Sequence, residues 1–385
     1  MSEREAWIAL ASTPGVGDHT FGQLLVAHGS AAAALNAAAR LPPARADWTL
    51  AEWSGTRLRR GLARALRDVA DDPGRVQRRV DTLGGWTLTP LDEAYPTQLR
   101  AIEEPPPVLY GLGRPSALSE GPLVAIVGTR RPTAMARDLA ARIGQRSAEA
   151  GITVVSGLAF GVDGVAHRAA LDGGTLTVAV IGSGIDAPGP GSNRNLAARI
   201  ARQGAIVSEL APGVRATKGT FPRRNRIISG LAMATIVVEA PARSGALITA
   251  RHALEQGRLV LVAPGRPLDP HVRGNLALLR EAPVRPLIGL DEMLADLDLE
   301  GQSPADDSAS VSLSRQGALR LLEPTQRQIA DVLARGPNTI DGLCRDTELD
   351  AGVVSAALTM LQLRGWASTY GATLLPAGPL TRMDN

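Results

Sequence analysis

Short apolar runs alternate with helix-patterned segments between residues 123 and 262 of this 385-residue chain. Buried parallel strands are typically continuous apolar runs, and each needs a helical crossover to reach the next strand. The pattern therefore predicts an α/β domain with an extended Rossmann-like, doubly wound, mostly parallel sheet. The predicted strands are 123–127, 153–155, 177–181, 205–207, 235–239 and 259–262, and the predicted helices are 134–150, 162–171, 194–202, 224–231 and 245–256.

The segments on either side of this pattern have a different character. Residues 1–110 alternate Ala/Leu/Arg-rich helical patterns with proline and glycine breaks, without strand-like alternation, which predicts a small helical domain. Within it, 13–17 (Thr-Pro-Gly-Val-Gly) resembles a helix-hairpin-helix turn, and a packing turn without a ligand explains the same residues. We predict this domain over 1–110 and the Rossmann-like domain over 111–290.

The C-terminal part begins with a predicted acidic linker, 291–320. In 321–385, three short helical patterns precede two strand-like runs joined through Gly371, which is typical of a winged-helix domain. The helices are predicted at 325–334, 339–344 and 351–363. The third carries only Arg364 at its end, which favours protein interaction or dimerisation over DNA binding.

Composition excludes several classes of protein. The one cysteine, Cys344, forms neither an internal disulfide nor a cysteine-based zinc site, and the five histidines lack ligand spacing. We therefore expect no metal. The N-terminus is polar, and no apolar run reaches the about 18 residues of a membrane span. The expected location is the cytoplasm, with no membrane partner.

Four predicted strand ends are followed by glycine and small hydroxyl residues. In an open parallel sheet ligands bind at this edge, where small residues let the backbone and helix N-termini approach an anion. Tight turns explain any one loop equally well, but together they predict a phosphate-bearing ligand. The loops are Gly128-Thr129-Arg130, Ser156-Gly157, Gly182-Ser183-Gly184 and Ser244-Gly245.

The common nucleotide enzymes do not fit these loops. The first turn, 128–132 (Gly-Thr-Arg-Arg-Pro), lacks the glycines of a dinucleotide-binding fingerprint, and the chain has no P-loop. A nucleophile elbow and an evident acid/base pair of carboxylates are also missing. His167 lies four residues after Asp163 on a predicted helix and is expected to be structural. We predict no cofactor and no catalysis.

The most basic loop, 215–226, holds five basic residues and no acid. One of the five is Lys218, the only lysine of the chain. Positive charge beside an aromatic ring suits single-stranded nucleic acid, because charge follows phosphates while the ring stacks on a base. Phe160 and Phe221, two of only three phenylalanines, fall in strand-end loops. An alternative stays open for each of two residues in this loop. Phe221 could fill the core beneath the loop, and Arg226 could donate hydrogen bonds to backbone carbonyls.

Motifs in order over about 95–275 resemble the DNA-processing protein A family (DprA, also called Smf). They are Tyr95-Pro96 with Leu99; Pro106-Pro107-Val108-Leu109-Tyr110 and Gly113; Val124-Ala125-Ile126-Val127-Gly128-Thr129-Arg130; Ser156-Gly157-Leu158-Ala159 with Gly161 and Asp163; Ser208-Glu209; Phe221-Pro222 with Arg224-Asn225-Arg226-Ile227-Ile228; Val237-Val238-Glu239-Ala240; Ser244-Gly245 with Thr249-Ala250; and Pro264-Gly265. The chain departs from the family pattern at Met135-Ala136, Gly189-Pro190 and Glu281-Ala282.

This resemblance implies a non-enzymatic protein that binds incoming single-stranded DNA in natural transformation and loads the RecA recombinase onto it. It also implies a homodimer, with a sterile-alpha-motif-like or helix-hairpin-helix domain in front and a winged helix behind. The family's DNA loop falls on Gly128, Thr129 and Arg130, and its pocket on Lys218 and Phe221.

Charge, small residues and resemblance together predict one DNA-binding set. Its members are Gly128, Thr129, Arg130, Arg131, Ser156, Gly157, Lys218, Gly219, Phe221, Arg223, Arg224, Asn225 and Arg226. The alternative is a nucleotide-processing Rossmann enzyme similar to the cytokinin-activating phosphoribohydrolases. Glu239 followed by 244–249 (Ser-Gly-Ala-Leu-Ile-Thr) resembles that family's phosphate motif, although the double glycine is missing. Service in transformation or in repair stays open.

Overall fold

The computed structural model describes residues 1–40, 61–189, 191–217, 219–281, 283–297, 319, 322–363, 366–370, 373–376 and 380. Contacts divide the chain into two units. One holds Met1–Thr82, Thr87–Val108 and Ser308–Asn385, and the other holds Leu83–Trp86 and Leu109–Asp307. The domain boundaries drawn from the sequence stay a prediction.

The second unit is built on a mostly parallel sheet. Its strands are β2 (Leu109–Gly113), β3 (Leu123–Val127), β4 (Thr153–Ser156), β5 (Thr177–Val180), β6 (Ala205–Ser208), β7 (Ala234–Val237), β8 (Leu259–Val262) and β9 (Arg285–Pro286), after a short β1 (Trp86–Leu88). Their order is β2-β6-β5-β4-β3-β7-β8-β9. β2 is antiparallel to β6, and the other neighbours are parallel. The predicted doubly wound sheet is confirmed.

The sheet contains strands that the sequence pattern missed. Residues 1–110 were predicted to lack strands, but the structure places β1 and the start of β2 there. β2 contains two glycines, which look like a turn in the sequence. At Gly111 a Cβ would collide with the Trp86 ring, and at Gly113, with φ of +87°, it would collide with the Gly204 and Ala201 carbonyls. This strand needs glycine because its neighbours approach so closely.

Helices cover both faces of this sheet. They are α7 (Ala134–Glu149), α8 (Val162–Asp172), α9 (Arg194–Gln203), α10 (Thr220–Leu231), α11 (Ala246–Glu255), α12 (Arg273–Leu278) and α13 (Leu290–Asp296), with 3-10 turns at Pro115–Leu118, Gly191–Asn193 and Pro270–Val272. α7 and α8 pack together over one face, and α10 packs with α11 over the other, as right-handed crossovers require. Gly144 lets α7 approach α8, since a Cβ there would lie 2.8 Å from Ala169 Cβ.

The strand order creates a topological switch point at β3. The chain leaves β3 toward β4 on one side and later returns to its other side as β7. The loops that follow β3 and β7 therefore diverge toward opposite faces, and a crevice opens between them.

The first unit contains two separate stretches of helices. They are α1 (Glu3–Ala11), α2 (Asp18–His28), α3 (Ala31–Ala39), α4 (Leu62–Asp71), α5 (Arg75–Thr82) and α6 (Thr97–Arg100), then α14 (Pro324–Leu333), α15 (Ile340–Thr347) and α16 (Ala351–Leu363) with the antiparallel hairpin β10 (Ala367–Tyr370) and β11 (Thr373–Pro376). Trp7 and Phe21 pack edge to face with centroids 4.9 Å apart. The three helices and hairpin confirm the predicted winged helix. Among the described residues, no helix is long and apolar enough to cross a membrane.

Candidate nucleic-acid interface

A cavity of about 540 Å³ lies at this switch point. It is formed by the loops after β3, β4 and β7, by the start of α8, by one face of α10 and by the first turn of α11. Concave sites of this size at the carboxyl ends of parallel strands are where open α/β sheets bind ligands. The lining residues are Val127, Gly128, Thr129, Arg130, Ala159, Asp163, Phe221, Pro222, Arg224, Asn225, Ile228, Pro241, Arg243, Ser244, Gly245, Ala246, Ile248 and Thr249.

Arg130 and Phe221 form a pair in this lining. The guanidinium carbon of Arg130 lies 5.4 Å from the centroid of the Phe221 ring, within cation–π range. Arg130 is exposed, and the Phe221 side chain is 37% exposed, so the ring is not a core plug. α10 begins at Thr220 and not at the predicted residue 224, because Pro222 fits the first helical turn. The first turn of α10 thus places the Phe221 ring in the lining of the cavity.

Arg243 is an exposed cavity residue that the sequence analysis did not select. It lies in the loop after β7, directly before Ser244 and Gly245, and its charge in a strand-end loop was a usable signal. The loop is attached to α10 because the Asn225 side-chain amide donates to the Gly245 carbonyl at 3.3 Å. The exposed charges of the cavity therefore come from two different loops.

Arg224 was predicted to contact phosphate, but the structure buries it beneath the cavity. Its Nη1 donates to the Gly157 carbonyl at 2.7 Å and to the Val180 carbonyl, and its Nε donates to Asn225 Oδ1 at 3.1 Å. Gly157 must be glycine, since a Cβ there would collide with the guanidinium. Burial lowers the pKa of Arg224 to about 10, against the opposing effect of Asp163. The side chain still carries its charge at neutral pH.

Asp163 occupies the place where the sequence predicted a phosphate near the Ser156-Gly157 loop. Its Oδ2 accepts the Ala159 amide at 3.3 Å. Burial raises the pKa of Asp163, while Arg224 acts in the opposite direction. The Ser156 hydroxyl is buried and donates to the Ile126 carbonyl at 2.6 Å. An internal carboxylate thus accepts an amide of a loop whose backbone was expected to face DNA.

His167 is buried below this acid, as a structural histidine should be. The Thr177 hydroxyl donates its hydrogen to the Val154 carbonyl at 2.7 Å, so His167 Nδ1 must donate to Thr177 Oγ1, also at 2.7 Å. Burial, with Arg224 and Arg168 as further causes, lowers the pKa of His167 to about 3. The imidazole is neutral at physiological pH.

Two glutamates with buried side chains bind groups near the cavity, and one of them, Glu209, pairs with two arginines of the predicted set. Glu239 accepts the Thr133 amide at 3.0 Å and the Thr133 hydroxyl at 2.5 Å, and so holds Thr133, the N-cap residue of α7. Glu209 lies 2.8 Å from Arg226 Nη2 and 3.4 Å from Arg223 Nε. Arg226 is buried and pairs with this carboxylate, whereas Arg223 is partly exposed. The bonds to backbone carbonyls that were the alternative for Arg226 stay a prediction.

Of the remaining predicted residues, some are exposed or line the cavity, and some have backbone groups that are bonded within the protein. Gly128 and Thr129 line the cavity, but the Thr129 amide donates to the Glu239 carbonyl at 2.7 Å and is engaged within the protein. Arg131 is exposed beside Arg130, and Gly219 immediately precedes α10. Lys218 lies outside the described residues. The structure therefore gathers exposed side chains at the cavity and uses much of the nearby backbone internally.

Models of three domains match the chain. The family model for DNA recombination-mediator protein A matches residues 86–298. The DprA-like N-terminal HHH domain matches residues 1–47, and the DprA winged helix domain matches residues 314–371. Together they agree with the helical front, Rossmann-like middle and winged-helix back.

Individual relatives cover most of the chain. Protein Smf of Synechocystis is 38% identical over 308 residues, 73% of this chain and 77% of that protein. A putative DNA processing protein DprA of Mycobacterium tuberculosis is 36% identical and covers 80% of each chain.

Two solved structures are similar as well. The X-ray structure of DprA from Streptococcus pneumoniae aligns with a TM-score of 0.62 and 30% identity, over 77% of this chain and 98% of that one. DprA from Helicobacter pylori, studied for its single-stranded DNA binding mode, aligns with a TM-score of 0.51 and 28% identity over 56% of this chain and 96% of that one. From its sequence, domain order and fold, the chain belongs to the DNA recombination-mediator protein A (DprA/Smf) family.

Proposed function

We propose that this protein binds single-stranded DNA in the switch-point cavity as a recombination mediator and makes or breaks no bond. The observation that carries the proposal is the exposed pair of Arg130 over Phe221 in that cavity. A guanidinium attracts phosphate, and an exposed ring offers a face to any base, worth about 1–3 kcal/mol per base. The DprA relative described for its single-stranded DNA binding supports the same ligand.

The stacking ring favours a single strand over a duplex. In a duplex each base is already stacked on its neighbours and paired, so presenting a base to Phe221 would cost unstacking energy. Arg243, on the loop after β7, adds a second exposed charge along the cavity. We include Lys218 among the proposed phosphate contacts on the strength of the sequence alone.

The proposal extends to the partners implied by family membership. The protein would protect incoming single-stranded DNA and load RecA onto it in the cytoplasm, in natural transformation or repair. One cavity contacts few phosphates and binds weakly at cellular salt, so a homodimer with two cavities would gain avidity without new contacts. Faster assembly of RecA on single-stranded DNA in the presence of the chain would test the loading step.

The nucleotide-enzyme alternative is not favoured, because its key carboxylate is already engaged. Both oxygens of Glu239 accept hydrogen bonds from Thr133, and the side chain is 3% exposed. A general base must reach the substrate proton directly or through one water. In this structure Glu239 holds the N-cap residue of α7.

Fluorescence anisotropy with a labelled single strand and the matched duplex, over a salt series, tests the proposal. We expect the single strand to bind more tightly. The slope of log affinity against log salt is negative, and each lost phosphate contact reduces its magnitude by about 0.7. Arg130→Gln should therefore flatten the slope by that amount. Arg142→Gln is the matched control, because Arg142 is exposed on α7 and pairs with Asp138 at 2.8 Å outside the cavity lining.

Either of two results would overturn the proposal: equal binding of duplex and single strand, or an Arg130→Gln slope equal to that of Arg142→Gln. Incubation with nucleoside monophosphates completes the test. Release of the free base would support the nucleotide-enzyme alternative instead.

A further inference from the structure

The loop between β4 and α8, residues 157–161, exposes a second phenylalanine that the cavity does not include. Phe160 is 49% exposed, whereas Leu158 in the same loop is fully buried. Of the three phenylalanines in the chain, Phe21 is buried, whereas Phe160 in this loop and Phe221 in the first turn of α10 are exposed. We call residues 157–161 the Phe160 loop.

Three separate elements fix the backbone of the Phe160 loop. Arg224 of α10 donates to the Gly157 carbonyl at 2.7 Å. The Asn193 side-chain amide donates to the carbonyls of Leu158 and Ala159 at 3.1 and 3.3 Å. The Ala159 amide donates in turn to Asp163. Phe160 is therefore presented from a rigid backbone.

The loop also contains unfavourable backbone geometry. Leu158 has φ of +54°, in the left-handed region that a leucine rarely adopts, and Gly161 has φ of +80°. Such conformations persist only where the surroundings determine them, and they cluster at functional sites. Here the strained turn buries Leu158 and leaves the neighbouring ring in solvent.

The Phe160 loop packs directly on the loop that carries Arg130 and Arg131. The Val162 amide donates to the Thr129 carbonyl at 3.2 Å. A Cβ on Gly161 would lie 2.7 Å from the Arg130 carbonyl carbon, so only glycine permits this approach. Arg130 also covers the Phe221 ring. One arginine loop is thus in contact both with Phe221 and with the loop that holds Phe160.

We propose that Phe160 is a second base-stacking surface for single-stranded DNA. It takes a further nucleotide of the strand whose base stacks on Phe221, with the intervening phosphates against Arg130 and Arg131. An exposed aromatic ring on a fixed backbone, next to two exposed guanidinium groups, has the chemistry that such stacking sites use. This inference rests on the proposed function and extends the site beyond the cavity.

Anisotropy with oligothymidylates of increasing length tests this inference on the full chain. Phe160→Ala should weaken binding about 5- to 150-fold for strands long enough to reach both rings, and leave the shortest strands unchanged. Phe221→Ala should weaken every length. Phe160→Tyr keeps a ring and should retain native affinity, whereas Phe160→Leu keeps apolar bulk without a π face and should bind like the alanine variant.

An abasic position moved along the strand locates each ring. We expect Phe160→Ala to lose its effect at one abasic position and Phe221→Ala at another. Native binding by Phe160→Ala at all lengths, with Phe221→Ala weakened, would refute the second surface while the proposed function stands. Absence of single-strand binding by the native chain would refute both. Equal thermal unfolding of the variants confirms that the exposed ring is not needed for folding.

Discussion

The loops after β3 and β7 and the loop after β4 all contain glycine and other small residues, but the structure uses them differently. The first two leave the switch-point cavity open and place Arg130 and Arg243 in its lining. In the loop after β4, polar backbone groups are bonded within the protein: Arg224 donates to the Gly157 carbonyl, and Asp163 accepts the Ala159 amide. We call the loops after β3 and β7 the open loops. The loop after β4 is the Phe160 loop, and in this comparison we call it the filled loop.

The difference shows that small residues at a strand end do not by themselves indicate an external ligand. Glycine permits close approach, and the approaching group is either a ligand or a side chain of the protein itself. At the filled loop the charged partners come from the chain, and they fix the backbone that presents Phe160. The open loops keep their charges in solvent, where phosphate reaches them.

Replacing Arg224 with methionine should have the largest effect on the filled loop. The variant leaves the Gly157 and Val180 carbonyls without their donor and removes a buried positive charge facing Asp163. Loss of one partner from a buried charged network costs about 3–5 kcal/mol. We expect the free energy of unfolding to fall by about 3 kcal/mol in urea titrations followed by circular dichroism.

Arg130→Met is the matched control at the open loops. Arg130 is exposed, so its loss should change the free energy of unfolding by no more than about 0.5 kcal/mol while weakening single-strand binding. If Arg224→Met were as stable as the native protein, or if Arg130→Met unfolded as easily as Arg224→Met, the distinction between open and filled loops would fail.

Acid should destabilise the fold through His167, which lies on α8 directly after the filled loop. Burial lowers the folded-state pKa of His167 to about 3, so folding favours the neutral ring. This contribution to stability is fully present above the unfolded pKa of about 6.5 and is lost as the pH falls toward 3. The slope expected between these values is about 1.4 kcal/mol per pH unit. Urea unfolding measured from pH 7 to pH 4 gives it directly.

His167→Gln isolates this contribution from that of Asp163. The raised pKa of Asp163 has the opposite sign, since it stabilises the fold at low pH and loses that effect as the pH rises. The difference between native and variant pH profiles cancels the Asp163 contribution. Parallel profiles would mean that His167 titrates normally in the folded protein and would contradict its assigned neutral state.

Arg243→Gln gives the smallest expected effect and tests the open loop after β7. Because Arg243 is exposed, its removal should leave the free energy of unfolding within about 0.5 kcal/mol of native. It should flatten the salt dependence of single-strand binding by about 0.7 in slope. Arg251→Gln, an exposed substitution on α11 outside the cavity lining, should leave that slope unchanged.

Local pattern was sufficient for much of the fold. The predicted strands 123–127 and 259–262 coincide with β3 and β8, and the predicted helix 351–363 coincides with α16. Each of these segments carries its own apolar pattern, which burial or amphipathic packing requires. β2 was missed because its two glycines look like a turn. They are required because Trp86 and Gly204, which are distant in the sequence, pack too closely against this strand to leave room for a Cβ.

The site was predicted less completely than the fold. Sequence placed Arg130 and Phe221 in strand-end loops, and the structure brings them to 5.4 Å. It also selected Ser156, Arg224 and Arg226 as DNA contacts, but all three side chains are buried. Arg243 was overlooked. Charge and residue type are visible in a sequence, whereas exposure depends on what packs over each residue.

The apolar runs and helical patterns along the chain are enough to predict the succession of buried strands and helices, and hence that loops of small residues gather at one edge of a parallel sheet. Which of those loops stays open depends on long-range packing. Arg224 lies 67 residues from Gly157 in the chain, and only the return of α10 across the sheet brings the two together at 2.7 Å. Burial and hydrogen bonding are properties of such long-range packing, so no local pattern of residues reveals them.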